Sequence, residues 1–145
     1  MVASPREIVE QIRRMVAGEG IAFADLFADD GLLEYPFAPP GQPHELVGRE
    51  MIRRHFGRPG IDRRRLFQMD GVDAVVHETT DPEVVIAEIA HYGRSQVTGA
   101  PYRFEALGVI RVRDGEIVSY RDYMDPIALA RLLGRTSDLA SALAE

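Results

Sequence analysis

The feature that most constrains this chain is a change of hydrophobic period near Arg65. Before it, apolar residues recur at helical spacing, as Ile8, Ile12, Met15 and Val16 in one stripe and Met51, Ile52, His55 and Phe56 in another. After it, side chains alternate with period two through about Arg65–Glu78, Glu83–Val97, Tyr102–Arg113 and Glu116–Met124. Thr80-Asp81-Pro82, Thr98-Gly99-Ala100-Pro101 and Asp114-Gly115 supply the turns, the last being a strong hairpin signal. Helices followed by a strand meander predict an α+β fold. Strands this long twist too strongly to lie flat, so the expected architecture is a cone-shaped, curled antiparallel sheet packed against N-terminal helices. Such a sheet, with helices across its open side, forms a pocket suited to a small molecule.

Local signals divide the rest. Ser4-Pro5 with Glu7 starts a helix that Gly18 and Gly20 end. A short helix is expected over Ile21–Ala28, closed by Asp29-Asp30-Gly31, and a strand over Leu32–Phe37. Pro36, Pro39, Pro40, Gly41 and Pro43 make an irregular loop before a helix at Val47–Arg58. Asp125-Pro126 caps a last helix, Ile127–Leu133, and Arg135–Glu145 either adds a helical turn or frays. With no repeat, low-complexity segment or long linker, residues 1–145 read as one domain.

Composition narrows the chemistry. The chain has no Cys, Lys, Asn or Trp, so all 17 basic residues are arginines. That removes thiolate nucleophiles, disulfides, Cys-bound metals, lysine Schiff bases and the P-loop. Carboxylate, imidazole, phenol, hydroxyl and guanidinium remain, and no cofactor is implied. A net charge of −6 argues against general nucleic-acid binding. No apolar run approaches a membrane span, and Met1–Glu10 lacks a signal-peptide core, so the expected location is the cytoplasm.

Asp122 is the first candidate for chemistry. Alternation puts it with Val118, Tyr120 and Met124 on one face, and Ile117, Ser119, Arg121 and Tyr123 on the other. If the Asp122 face is inward, desolvation raises its pKa and suits it to acid–base work; the opposite choice leaves it on the surface. His55 flanks Ile52 and Phe56 on a helix, where an imidazole either carries protons or borders a core. His91 lies mid-strand with Ile89 and Gly93, while His44 falls in the proline loop. The four histidines lack ligand-like spacing, so no metal site is expected. His77-Glu78 is only half a zinc-protease motif, and Gly93-Arg94-Ser95-Gln96-Val97 lacks the final glycine and the strand-to-helix turn of a nucleophile elbow. Seven arginines between Arg49 and Arg65 form either a solvated face or an anion-capturing patch.

The chain resembles a known family in Leu26-Phe27-Ala28-Asp29-Asp30-Gly31, Glu34-Tyr35-Pro36-Phe37, Gly48-Arg49-Glu50-x-Ile52 and Asp114-Gly115-Glu116-Ile117-Val118-x-Tyr120-Arg121-Asp122-Tyr123-Met124-Asp125-Pro126. These segments are similar to the SnoaL-like and ketosteroid-isomerase-like proteins of nuclear-transport-factor-2-like fold. The resemblance implies that fold over nearly the whole chain, and a homodimer. Ketosteroid isomerases carry their catalytic groups where Tyr35, Gln11 and Gly108 stand here, so that route is lost. The terminal strand of limonene-epoxide hydrolases resembles Tyr120–Asp125, with an acid/base aspartate at Asp122, but Ile89 and His91 replace the rest of the triad. Phenazine-biosynthesis A/B proteins fit best. Their helix resembles Gly48-Arg49-Glu50-Met51-Ile52-Arg53-Arg54-His55 and their strand end Arg121-Asp122-Tyr123-Met124-Asp125, which implies catalytic roles for His55 and Asp122.

The expectation is therefore a cofactor-independent acid–base enzyme, acting by condensation, cyclisation or isomerisation on a small cyclic carbonyl-bearing metabolite. Asp122, His55 and nearby His91 are its catalytic candidates. Tyr35, Phe37, Phe56, Tyr120 and Met124 are its substrate-binding candidates. The rival is a non-catalytic protein that binds a small ligand in the same pocket.

Overall fold

In the computed structural model, which describes residues 2–57 and 66–145, the helix signals at the start of the chain act as expected. Helix α1 runs Pro5–Val16, with the Ser4 hydroxyl accepting the Glu7 amide at 3.2 Å. Its stripe of Ile8, Val9 and Ile12 is almost wholly buried. The short helix expected over Ile21–Ala28 is a 3₁₀ turn, Phe23–Leu26, and the chain already becomes strand β1 at Phe27–Glu34. The later elements are β2 (Glu45–Val47), α2 (Arg49–Phe56), β3 (Phe67–Glu78), β4 (Val84–Ser95), β5 (Pro101–Arg113), β6 (Glu116–Met124), α3 (Pro126–Leu132) and α4 (Thr136–Leu143). Of the strand expected at Arg65–Glu78, Arg65 lies outside the described residues, as do Arg58, Arg63 and Arg64 of the arginine cluster.

The six strands form one open sheet in the order β2-β1-β6-β5-β4-β3. The sheet is mixed rather than antiparallel throughout, because β1 pairs parallel with β6. No turn joins these two strands, so no local signal marks their pairing, and β2 on the far edge is only three residues long. The Asp114-Gly115 hairpin joins β5 to β6, with both residues at positive φ.

Asp29-Asp30-Gly31 does not end a helix. It lies in a bulge of β1, where Phe27 pairs with Ile117 and Leu32 already with Ser119. A Cβ on Gly31 would meet the carbonyl oxygens of Ala28 and Ile117 at 3.0 Å. Arg49 anchors α2 to this bulge. Its guanidinium reaches the Phe27 carbonyl at 2.8 Å, Asp29 at 2.9 Å and Glu116 at 2.8 Å.

Helix α1 packs on β3, β4 and β5, which makes that face of the sheet the inner one. Phe27, Leu33, Val85, Ala87, Ile89, Ile110, Ile117 and Tyr120 join α1 and Ile52 of α2 in the core. The outer face is more polar, with His77 2.6 Å from Glu88 and Arg103 bridging Asp73 and Glu105. Among the described residues no helix is long and apolar enough to cross a membrane.

Candidate active site

Strand β6 settles which face Asp122 takes. Simple alternation would group Ile117 with Ser119 and Arg121, yet Ile117 and Tyr120 are both buried. The cause is one extra residue: Arg111 pairs with Ser119 and Val112 with Ile117, leaving Val118 unpaired. Beyond this bulge the even-numbered residues Tyr120, Asp122 and Met124 face inward.

The pairing registers place Val76, Ala87, Gly108 and Asp122 in one row across β3, β4, β5 and β6. The direct cross-strand neighbour of the carboxylate is thus a glycine, with alanine and valine farther along the row. Gly108 matters most, because a Cβ there would stand 2.9 Å from the Tyr120 ring and hydroxyl. The missing side chain lets the phenol lie flat over β5.

This environment sets the electrostatics. Burial pushes the Asp122 carboxyl up from its ordinary 3.8 to about 6. Its Oδ1 is buried, and no donor among the described residues reaches it. Burial also raises the Tyr120 phenol, with the Asp122 charge and then Tyr35 adding to the effect. Tyr35, Tyr120 and Asp122 therefore form one electrostatic group: a carboxyl that titrates near neutral pH and a phenol that stays protonated.

The other candidates are distributed around this group. His55 is half-buried on the α2 face that buries Ile52, with its ring 5.1 Å from Phe56. Phe56 meets Phe23 at 5.2 Å and Phe23 meets Tyr120 at 5.6 Å, so a chain of edge-to-face rings connects His55 to the site. Met124 pairs with Ala106 in the row next to Asp122. Phe37 is 61% exposed and packs on Tyr123, whose side chain leaves β6 on the face opposite to Asp122. Phe37 thus packs on the side of β6 away from Asp122.

His91 faces inward but does not stand beside Asp122 as expected. Its row, Val72–His91–Phe104, is two rows from Asp122 and its strand two strands away, roughly 16 Å on an idealised sheet. There Nδ1 lies 3.0 Å from the Tyr102 hydroxyl, and the ring stacks on Phe67 at 5.4 Å. A cleft of about 290 Å³ lies at this end, between β5, the β4–β5 turn and α3.

The described part of the arginine cluster is largely paired. Arg49 is held as above, and Arg53 reaches Asp25 at 2.8 Å and Glu50 at 3.4 Å. Both tether α2 instead of standing ready for an anion. The His44 carbonyl accepts the Tyr35 amide, and no group of three or more His, Asp or Glu among the described residues is placed to hold a metal.

Three contributors escaped the sequence reading of the inner face: Gly108, Tyr102 and Arg131 beside the cleft. Glycine within an alternating strand signals close approach of another group, and that signal was present at Gly108. Nothing local distinguishes Tyr102 or Arg131, which matter through partners distant in the chain.

Known proteins share this framework. The uncharacterized PhzA/B-like protein PA3332 of Pseudomonas aeruginosa is 34% identical over 131 residues, covering 88% of this chain and 87% of its own. A provisionally named isomerase from Bacillus subtilis superimposes with a TM-score of 0.71 at 28% identity, covering 89% of this chain and 94% of that one. A phenazine biosynthesis-related protein from Pseudomonas aeruginosa shares the fold, with a TM-score of 0.54 at 19% identity over 88% of each chain. The SnoaL-like domain family matches residues 8–120, more than half of the chain, and the chain belongs to that family.

Proposed function

We propose that the protein is a cofactor-independent acid–base enzyme of isomerase or cyclase type, acting at Asp122 on a small cyclic metabolite that bears a carbonyl group. One observation carries this reading: a carboxyl in the sheet interior, titrating near neutral pH, with a buried oxygen that no described residue satisfies. The names of the isomerase and phenazine-related neighbours are consistent with it.

As a carboxylate, Asp122 takes a proton from the carbon next to the substrate carbonyl. The C–H electron pair forms a carbon–carbon double bond to the carbonyl carbon, and the carbonyl π pair moves onto the oxygen, which gains negative charge. The protonated phenol of Tyr120 supplies a hydrogen bond in the same region, where Tyr35 also lies, and His55 is the complementary acid on the α2 side. Return of the proton to a different carbon gives isomerisation. Attack of the enolate carbon on a second electrophilic carbon gives cyclisation or condensation. General acid–base catalysis contributes ~10²–10⁴-fold, so positioning beside Asp122 supplies the rest of the rate.

The test is hydrogen–deuterium exchange at the α-carbons of a panel of cyclic ketones and enones in D₂O, followed by NMR. The wild type should accelerate exchange for at least one member, with a rate that rises through about pH 6 and then levels as Asp122 becomes ionised. Asp122→Asn should reduce the catalysed rate by about 10²–10⁴-fold while ligand binding persists. Equal exchange by the two proteins rejects the reading. Binding without catalysed exchange in the wild type supports the ligand-binding rival.

A further inference from the structure

Beyond the end of β6, β5 continues without that neighbour. The last β5–β6 pair is Ala106 with Met124, whereas β5 begins at Pro101. Helix α3 packs against β5, and the cleft of about 290 Å³ lies there. Its walls include Ser95, Tyr102, Phe104, Arg131 and Leu132.

The charge of this cleft is unusual for the molecule. The chain has 23 acidic residues and a net charge of −6, yet no acidic side chain among the described residues lines the cleft. Two described arginines do, and their states differ. Arg103 is occupied by Glu105 at 2.8 Å and Asp73 at 3.3 Å, and lies over the Tyr92 ring. Arg131 is exposed and makes no ion pair among the described residues.

The aromatic wall is held in place. Tyr102 is hydrogen-bonded to His91 and lies edge-on to Phe67 at 5.4 Å, while Phe104 packs on the other side of His91. Burial and the charge of Asp70 keep the Tyr102 phenol protonated, so it does not repel an anion. Buried Ser95 accepts the amides of Val97 and Thr98, which leaves its own hydroxyl proton to donate.

We propose that this cleft is a second binding site, for a small planar aromatic carboxylate whose ring lies against Tyr102 and Phe104 and whose carboxylate pairs with Arg131. One unpaired guanidinium matches one negative charge, and its fork suits the two carboxylate oxygens. The cleft is near the lower end of the usual ligand-pocket range of about 300–1,000 Å³, which fits one or two fused rings. The site does not depend on chemistry at Asp122.

The experiment is a titration of the ¹⁵N-labelled protein with 2-naphthoate and, in parallel, with neutral 2-naphthamide. Naphthoate should shift the amides of Tyr102, Phe104 and Ala128 to saturation and bind about ten-fold more tightly than the amide. Arg131→Gln should remove that ten-fold preference and leave the weaker binding of naphthamide unchanged, with the spectrum itself reporting that the variant is folded. Equal affinities for the two compounds in the wild type, unaltered naphthoate binding by Arg131→Gln, shifts centred on Tyr120 and Asp122, or no saturable binding would each overturn the proposal. Because the shifts are resolved by residue, this outcome is separate from the exchange result at Asp122.

Discussion

The two ends of the inner sheet face carry comparable polar groups in opposite states. At one end, Asp122 sits among Val76, Ala87 and Gly108 with a buried oxygen that no described residue satisfies. At the other, the ring of His91 is enclosed by Phe67, Tyr102 and Phe104, and its Nδ1 is hydrogen-bonded to a phenol. Both residues are inward-facing ionisable groups on long strands, so sequence alone ranks them together. Their neighbours separate them. Small side chains leave the carboxyl room and no partner, whereas large rings hold the imidazole and give it one. Unmet hydrogen-bonding capacity is what an arriving substrate can use.

The contrast makes its largest prediction at Asp122. A carboxyl carried from 3.8 to about 6 binds its proton more tightly in the native than in the unfolded chain. Native stability therefore falls as pH rises between those values and is level above them, a loss of roughly 3 kcal/mol. Asp122→Asn should abolish this loss: relative to the wild type, its stability in denaturant should improve by up to about 3 kcal/mol on going from pH 3.5 to pH 8. A difference independent of pH would mean that Asp122 is not strained by its surroundings, and the contrast would collapse.

A smaller effect is expected at Gly108. Alanine there places a methyl 2.9 Å from the buried ring of Tyr120, which cannot easily move. Overpacking should outweigh the gain from a stiffer unfolded chain and leave a net destabilisation of about 1–2 kcal/mol by chemical denaturation. Neutral behaviour would show that the space over Gly108 is wider than the ring requires. The smallest effect belongs to the other end. His91→Phe keeps a ring between Phe67 and Phe104 but removes the partner of the Tyr102 hydroxyl, at a cost of about 1 kcal/mol in the same measurement. A cost of several kcal/mol would make this end the more finely balanced of the two.

How far the sequence was legible follows from where each signal resides. The Ser4 cap, the Asp114-Gly115 turn and the long period-two strands are local, and each is found where expected. The parallel pairing of β1 with β6 is nonlocal, and Asp29-Asp30-Gly31 looks the same whether it ends a helix or makes a bulge. At the site, alternation correctly groups Tyr120, Asp122 and Met124 but cannot say which group is inside. The placement of Phe37 on Tyr123 depends on the path of a proline loop that no periodicity describes. The pairing of His91 with Tyr102 joins two strands across a hairpin and becomes visible once their register is known.

The unpaired Val118 has a consequence beyond local geometry. Because strand side chains have a period of two, one inserted residue acts as a parity switch for everything that follows it. With the Val118 bulge, Ile117 at the hairpin end and Asp122 farther on can both face the interior; with Val118 paired, one of them must be turned outward. Deleting Val118 would only regularise the ladder and leave Ile117 and Asp122 both inward, whereas keeping Val118 and pairing it regularly would present Arg121 and Tyr123 to the interior and Asp122 to solvent. The count of residues between the Asp-Gly turn and the carboxylate therefore decides which side chain faces inward only together with the presence or absence of the bulge.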